Sequence, residues 1–552
     1  MPDSEGLPTN EPSEPAVSLA RATAVMSAGT ALSRITGFLR LSVMAWAIGG
    51  VESKLPDTYN LANQLPNIVY QLVLGEILAT VFVPVFVEYI TTRDREESWR
   101  LASTILNMAF GIAFAVSALT VLLAPWLIRI YTFRLHGADA QAQNDVGAFL
   151  LRLFMPQMIF YATGSVLTGL LNAHRKFAVP MFAPVLNNLI VMGTFVAFRA
   201  LHPSGTPRLQ SLTTADKLLL GGGTTAGVIV MTVVLWPYVR RLPGKYDWRA
   251  WAWRHPAVRH VGGLAKYSFG FVIVNQIGLF VVLALANGVD GGVTAFLSAY
   301  TLYQLPYGIF AVSVFTALIP SLSEHFVHGD ADSFRRDFSL GLRMTSYIVL
   351  PAAAGFVALG KPIVRILLQH GVFSGESTNL FADTLVLMAI GLIGFSAFQQ
   401  QTRAFYARQD TRTPWIVNFW ATAFNVVANF PLYAWLGVPG LALAHALSYL
   451  TAAIYGGWVL RKQIGGIDGR RLLTSHARIL AASVATGGVA WLTSRAVESH
   501  VDTARFAGQF VQVFGAIGAG LVVYVALSRL LRLEEFDPLW RILAGRFARS
   551  RA

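Results

Sequence analysis

Long apolar runs separated by short polar segments make up most of the chain. The runs are continuous rather than alternating, and most reach the ~20 residues that a helix needs to cross ~30 Å of hydrocarbon. This pattern predicts helical membrane spans rather than a transmembrane β-barrel, whose strands alternate apolar and polar positions. About fourteen spans are expected, at 24–49, 58–91, 101–131, 146–172, 178–200, 215–239, 257–286, 291–321, 339–360, 379–402, 413–436, 438–460, 474–497 and 506–531.

Composition supports the same fold class. Charged residues make up 13% of the 552 positions and apolar residues 54%, whereas soluble domains carry roughly 25% charged residues. A chain with so few charges cannot cover several soluble domains, so we expect an all-α polytopic membrane protein. The net charge of +14 is attributed to Lys and Arg in cytoplasmic loops rather than to nucleic-acid binding.

The loop charges predict the orientation in the membrane. Loops after even-numbered spans carry about twenty Lys and Arg residues, roughly twice as many as loops after odd-numbered spans. Because Lys and Arg accumulate on the cytoplasmic side, both termini are expected in the cytoplasm.

An internal repeat is visible at an offset of about 235 residues. Residues 83–88 at the end of span 2 resemble 319–324 at the end of span 8, and 173–180 before span 5 resemble 407–414 before span 11. An even offset of six spans makes the repeats parallel, which predicts two pseudo-symmetric six-helix lobes and two additional C-terminal helices. The expected segments are a disordered cytoplasmic tail (1–23), an N-lobe (24–240), a cytoplasmic linker (241–256), a C-lobe (257–460), spans 13 and 14 (461–531) and a basic cytoplasmic tail (532–552).

The sequence lacks the common motifs of catalytic and metal-binding sites. It contains no P-loop, no nucleophile elbow and no histidines at metal-ligand spacing, so neither an enzyme nor a metal or cofactor site is predicted. The run Gly221–Gly227 lies inside an apolar span, where close helix packing is the better interpretation than phosphate binding.

Two arginines in the first span are the main candidates for chemistry. Arg34 and Arg40 lie within an apolar helix, and a charge at mid-membrane costs at least ~2.5–3.5 kcal/mol. Either they face a water-filled cavity that receives an anionic ligand, or they snorkel to the surface or pair with Glu76 of span 2.

Four further polar residues are candidates. Asp57 opens span 2 and is either a gate on the outer side or a helix N-cap, while Asn67 follows Pro66, which bends the same span. Asn425 and Asn429 in span 11 either bond across helices or help to coordinate a monovalent cation.

Short motifs spread over the chain resemble the MurJ (MviN) family of lipid II flippases. They are Ser33–Arg40, Leu65–Asn67, Phe82–Val85, Leu171–Pro180 with Ala183–Pro184, Gln369–Phe373 and Phe405–Pro414. The resemblance implies a member of the multidrug/oligosaccharidyl-lipid/polysaccharide exporter superfamily in the bacterial cytoplasmic membrane. It also implies that undecaprenyl-diphosphate-linked disaccharide-pentapeptide moves from the inner to the outer leaflet, and that other cell-wall synthesis proteins are partners.

The resemblance assigns roles to residues of this chain. It places the cavity arginines at Arg34 and Arg40 and the gate at Asp57. Asn67 and Glu76 are further substrate-binding candidates because of their positions in span 2. The chain departs from the family at Tyr70, Thr301 and Leu41, where charged residues are common in the family, so the cavity is expected to be less cationic.

The residues and the resemblance together predict alternating access. Guanidinium groups match the oxygens of a diphosphate, and the polyprenyl tail is expected to stay in lipid along spans 13 and 14. Membrane potential or a coupled monovalent cation is the expected energy source. The alternatives are export of another polyprenyl-linked glycan and a non-transporting scaffold for wall synthesis.

Overall fold

The structure is a computed structural model that describes residues 14–75, 95–174, 176–251 and 256–536. Within these ranges all regular structure is helical. The α-helices, numbered in chain order, are α1 (Glu14–Ile48), α2 (Leu55–Tyr70), α3 (Arg95–Tyr131), α4 (Gly137–Phe154), α5 (Gln157–Ala173), α6 (Ala178–Leu201), α7 (Thr214–Val233), α8 (Trp236–Arg240), α9 (Pro256–Ala286), α10 (Gly292–Pro306), α11 (Val312–Val327), α12 (Ala331–Leu368), α13 (Gly375–Ala389), α14 (Leu392–Ala407), α15 (Arg412–Leu436), α16 (Val438–Ile464), α17 (Gly469–His500) and α18 (Phe506–Leu530). Two π-helical turns, Gln71–Gly75 and Tyr307–Ala311, continue α2 and α10, and a short 3-10 helix covers Leu209–Ser211.

The predicted spans coincide with these helices, which confirms the all-α membrane fold. Ten helical segments of the described ranges are long and apolar enough to cross a membrane, and α13 with α14, bent by 49°, forms an eleventh candidate. The other expected spans are α2, which runs into residues outside the described ranges, and the more polar α15 and α17. Amides on α15 and arginines on α17 lower their mean hydropathy.

Helix α1 begins earlier than the hydropathy pattern suggests. It starts at Glu14, inside the segment 1–23 that was expected to be a disordered tail; residues 1–13 lie outside the described ranges. An acidic residue and Pro15 suit a first helical turn, since the positive end of the helix dipole favours the carboxylate and proline has no N–H to satisfy.

The helices pack in the same order in two halves of the chain. In the first half α1 packs on α6, α6 on α7 and α2 on α4; in the second, α9 packs on α15, α15 on α16 and α10 on α13. The two π turns begin at positions 71 and 307, an offset close to that of the sequence repeat. The two lobes are therefore parallel repeats, while their exact boundaries stay a prediction.

Small residues let helices approach closely within the first lobe. Gly29 of α1 faces Met181 of α6, and Gly223 of α7 faces the side chain of Thr194, so that a Cβ at either glycine would collide. Asn188 of α6 donates hydrogen bonds from Nδ2 to the Ser33 carbonyl (3.3 Å) and to Thr36 Oγ1 (3.0 Å). The glycine-rich run in α7 is thus a packing surface, as the sequence indicated.

The linker between the lobes lies against α3 over its described part, which ends at 251. Trp99 Nε1 donates to the Pro243 carbonyl at 2.8 Å. Asn107 Nδ2 donates to the carbonyls of Asp247, Trp248 and Ala250 at 3.0–3.1 Å. This segment is therefore docked on the first lobe.

Helices α17 and α18 pack on α12 of the second lobe, and the segment after α18 is held by charges. Arg343 Nη1 donates to Glu534 Oε2 and to Glu535 Oε1, both at 2.8 Å. The side chains of Arg343 and Glu535 are 5% and 1% exposed. The first residues of the predicted basic tail are therefore an acidic anchor, and residues 537–552 lie outside the described ranges.

Candidate functional site: a polar cavity between the lobes

A cavity of about 680 Å³ lies between the two lobes. Residues of α1, α2 and α6 line it from the first lobe, and residues of α9, α10, α14, α15 and α16 line it from the second. Its polar character comes from amides: eleven of the described lining residues are Asn or Gln, and Arg40 is the one Lys or Arg among them.

The amides reach the cavity because they follow helical spacing. On α2 and the π turn that continues it, Asn60, Asn63, Asn67 and Gln71 recur every three or four residues and share one face. Residues on the other face, such as Leu61 and Leu65, are buried in the lobe. One wall of the cavity is thus the polar face of an amphipathic helix.

Helix α15 supplies the opposite wall in the same way. Asn418, Thr422 and Asn425 line the cavity, whereas Trp420 and Val427 on the other side of the helix are exposed. The apolar side chains suit contact with lipid and the amides suit contact with water or a polar ligand.

The two arginines of α1 occupy different places. Arg40 lines the cavity, and no carboxylate of the described residues forms a salt bridge with it. Arg34 does not line the cavity: it is exposed, and a Cβ added at Gly308, in the second π turn, would lie 3.1 Å from its Nη2. Six residues turn an α-helix by about 600°, so these side chains point about 120° apart. The expectation of a shared chamber therefore applies to Arg40 alone in this conformation.

Asp57 lies outside the cavity lining, in a contact between the lobes. Its Oδ1 accepts hydrogen bonds from the backbone N (2.9 Å) and the Oγ1 (2.8 Å) of Thr294, in the first turn of α10. The carboxylate thus caps a helix of the other lobe rather than its own. An N-cap of its own helix was therefore the wrong alternative, and the role of Asp57 as a gate stays a prediction.

Lys54 extends this contact. Its Nζ donates to the carbonyls of Asn287 (2.9 Å) and Val289 (3.1 Å) and lies 3.0 Å from Asp290. We call Lys54, Asp57, Asn287, Asp290 and Thr294 the interlobe latch. It joins the two lobes at the end of the bundle where α1 ends and α2 begins.

A second contact at the same end joins the α1–α2 loop to α13. Ser377 Oγ donates to Glu52 Oε1 at 2.8 Å and accepts from the backbone N of Val51 at 2.9 Å. Burial alone would raise the pKa of Glu52, but hydrogen bonds from Gly50, Ser374 and Ser377 outweigh it and lower that pKa below its ordinary 4.5. Glu52 is therefore a charged acceptor that ties the lobes together at neutral pH.

Asn67 belongs to a chain of amides that crosses the cavity. Its Oδ1 accepts from Gln71 Nε2 at 3.2 Å, and Gln71 Oε1 accepts from Gln276 Nε2 of α9 at 2.9 Å. Gln276 Oε1 is buried and has no hydrogen-bond partner among the described residues. Glu76, the proposed partner of the arginines, lies outside the described ranges.

Asn425 and Asn429 bond to each other on one helix. Asn429 Nδ2 donates to Asn425 Oδ1 at 3.2 Å; Asn425 lines the cavity and Asn429 is fully buried without lining it. Asn425 Nδ2 and Asn429 Oδ1 have no partner among the described residues. A free amide oxygen suits a cation, yet no metal-type cluster of His, Cys, Asp and Glu occurs in the described ranges.

The positions at which the chain departs from its resemblance are also visible. Thr301 and Leu41 line the cavity, so the walls hold two uncharged side chains at positions where the resemblance implied charged ones. Tyr70 does not line it: the Tyr70 hydroxyl lies 2.6 Å from Ser165 Oγ inside the first lobe. The cavity is therefore as poor in charge as these positions suggested.

Two features were not predicted from the sequence. One is the breadth of the amide lining, which the spacing of Asn60, Asn63, Asn67 and Gln71 on α2 and its π turn already contained. The other is His445 of α16, which lines the cavity and contacts four aromatic rings, those of Phe296, Tyr300, Tyr303 and Tyr449, at centroid distances of 4.9–6.2 Å. No spacing rule connects His445 to rings on α10, which lies about 150 positions away.

Known proteins resemble the chain along most of its length. The model of the family described as "Lipid II flippase MurJ" matches residues 47–508. A protein of Vibrio cholerae serotype O1 named as a probable lipid II flippase MurJ is 28% identical over 93% of this chain and 96% of its own.

Solved structures agree on the fold. A lipid II flippase MurJ in an inward closed conformation matches with a TM-score of 0.73 at 20% identity, over 92% of this chain and 98% of that one. An inward-facing multidrug MATE transporter of the MOP superfamily matches with a TM-score of 0.65 at 12% identity, over 79% and 96% of the two chains. Since the family model covers well over half of the sequence, this chain belongs to the lipid II flippase MurJ family.

Proposed function

We propose that this chain moves lipid II, the undecaprenyl-diphosphate-linked muropeptide, from the inner to the outer leaflet of the bacterial cytoplasmic membrane by alternating access. The observation that carries the proposal is the polar cavity between two repeated lobes, which Arg40 lines, together with the interlobe latch that joins the lobes at one end. The names of the relatives supply the substrate.

Arg40 is the residue we assign to the diphosphate. A guanidinium presents forked donors to phosphate oxygens, and in a chamber shielded from bulk water that interaction is stronger than in solution. Arg34, exposed beside Gly308 at the seam of the lobes, is proposed to meet the head group on its way in or out. The tail is proposed to remain in lipid beside α17 and α18, where it needs no new desolvation.

The latch end is proposed to face the outside of the cell. This orientation rests on the excess of Lys and Arg in the loops after even-numbered spans, which puts both termini in the cytoplasm. The structure then corresponds to a state that is closed to the outside. Export would require the latch and the Glu52–Ser377 contact to separate while contacts at the other end form.

Net export needs an energy source. We propose that it is the membrane potential, worth ~2.3 kcal/mol per charge per 100 mV, or a monovalent cation bound near Asn425 and Asn429. The protein is proposed to transport its lipid without changing it chemically, and to work beside other proteins of cell-wall synthesis.

One observation favours a second candidate. A cavity with eleven amides and one arginine also suits other polyprenyl-linked glycans, whose head groups are rich in hydroxyls. Expression in a strain depleted of its own lipid II flippase separates the two. Restored accessibility of lipid II head groups to an external protease or label supports the proposal, and correct insertion without restored accessibility contradicts it.

A further inference from the structure

Most of the polar side chains that line the cavity are uncharged. A site built around a diphosphate alone would be expected to gather several cations, as phosphate sites do. Here the described lining offers one guanidinium and eleven carboxamides. Amides donate and accept hydrogen bonds, which matches sugar hydroxyls and peptide groups better than phosphate oxygens, since phosphates only accept.

Three of the amides that line the cavity form a hydrogen-bonded bridge between helices, which a bound ligand can replace. Asn67, Gln71 and Gln276 form a hydrogen-bonded chain from α2 to α9, and Gln276 Oε1 at its end has no described partner although it is buried. A buried acceptor without a partner is unfavourable, because it has lost its hydrogen bonds to water without replacement. A ligand that donates to this oxygen would recover that cost, and hydroxyl or amide groups can do so while a diphosphate cannot.

We propose that Gln71 and Gln276, supported by Asn67, form an amide belt that recognises the sugar hydroxyls and peptide amides of the head group, and that Arg40 recognises its diphosphate. This inference rests on the proposed function and deepens it. It makes the two glutamines the residues that distinguish lipid II from a polyprenyl diphosphate without sugars.

Equilibrium binding to the full chain in nanodiscs tests the assignment. The two probes are lipid II and undecaprenyl diphosphate, which share the tail and the diphosphate and differ in the sugars and peptide. Wild type should bind lipid II at least tenfold more tightly. The double variant Gln71→Leu/Gln276→Leu should lose about tenfold affinity for lipid II, because it removes the hydrogen bonds from both glutamines to the sugars and peptide, and less than twofold for undecaprenyl diphosphate.

Two further variants serve as controls. Arg40→Gln should weaken both probes by a similar factor. Gln210→Leu, at an exposed glutamine that donates to Asp139 and does not line the cavity, should change neither. Retained binding of undecaprenyl diphosphate by the double variant also demonstrates that its cavity is folded.

The outcomes separate this inference from the proposed function. Equal weakening of both probes by the double variant would assign the glutamines a role in lobe closure only, and an unchanged affinity for lipid II would assign them no role; both results overturn the amide belt and leave the proposed function standing. If wild type binds neither lipid, the proposed function itself falls.

Discussion

The role of a single charged residue in this protein is set by its surroundings rather than by its residue type. Arg34 and Arg40 share a helix and a motif, yet one is exposed beside Gly308 and the other lines the cavity. The sequence predicted the presence of both arginines in a membrane helix. It did not predict their separation, although the ~100° turn per residue already implied it.

The first prediction concerns these two arginines. Arg40→Ala should abolish the appearance of lipid II head groups outside the cell, because it removes the one described cation of the cavity wall. Arg34→Ala should reduce export by a smaller factor, since its side chain lies at the seam. Head-group labelling in a flippase-depleted strain measures both, with membrane insertion checked by immunoblot. Equal loss in the two variants would contradict the separate roles.

The second prediction concerns Arg343, the buried arginine of α12 that pairs with the segment after α18. Arg343→Ala leaves Glu535, 1% exposed, without its cationic partner and with the hydrogen bond from Ser475 Oγ, and the loss of one partner of a buried ion pair typically costs roughly 3–5 kcal/mol. We expect a clear drop in the thermal unfolding midpoint of the purified protein.

A matched control comes from the same cluster. Arg471 also bonds Glu534, but its side chain is 51% exposed, and exposed ion pairs contribute about 0–1 kcal/mol. Arg471→Ala should therefore leave the midpoint almost unchanged. A similar shift in both variants would mean that burial does not set the strength of this anchor.

At the scale of the elements, most of the fold follows from hydropathy, and amides at helical spacing mark the walls of the site. Helices α2 and α15 carry amides at helical spacing, and these amides both lower their hydropathy and line the cavity. The existence of such helices was predictable from the sequence. Their pairing across the cavity was not, because contacts such as Asp57 with Thr294 join residues more than two hundred positions apart.

The interlobe contacts also show how the repeat is used. Asp57 caps the first turn of α10, the helix that repeats α2 in the second lobe. A cap supplied by the other lobe stabilises the helix only while the lobes are together. The stability of the first turn of α10 therefore depends on whether the two lobes are together at the latch end.

The third prediction is a pH dependence of closure at this end. The pKa of Glu52 is lowered from 4.5 by hydrogen bonds from Gly50, Ser374 and Ser377, which outweigh the effect of burial. A lowered pKa in the closed state means that the contact contributes fully above pH 4.5 and is lost as pH falls through the lowered value. Closure should therefore be unchanged between pH 8 and 6 and weaken below pH 4.5.

Spin labels can measure this closure. The chain contains no cysteine, so Ala138→Cys and Glu376→Cys, at exposed positions of the two lobes, give a clean pair. Longer distances should appear only in acid for the labelled protein, and at every pH when Glu52→Gln is added. A distance distribution in the Glu52→Gln protein that still changes with pH as before would assign the effect to another group.

At the scale of the whole molecule, a polar cavity lies between two parallel lobes, and contacts between the lobes join them at one end. The contacts are polar hydrogen bonds: Asp57 caps α10, Lys54 donates to backbone carbonyls, and Glu52 accepts from the serines of α13 and its N-cap. Each hydrogen bond of this kind contributes about 0.5–1.5 kcal/mol, or up to about 3 where a charge is involved. The sum is small enough for a bound ligand or the membrane potential to shift the balance between the states.

A reversible cross-link across the latch end tests the central claim of alternating access most directly. A Cβ at Gly50 would lie 3.0 Å from Ser377 Cβ, slightly closer than the ~3.5–4.5 Å of disulfides, so Gly50→Cys/Ser377→Cys should form a bond after a small shift. Oxidation of the double variant is predicted to stop outward accumulation of lipid II head groups, reduction to restore it, and each single variant to export under both conditions. Undiminished export by the fully cross-linked protein would contradict passage of the head group through the cavity between the lobes.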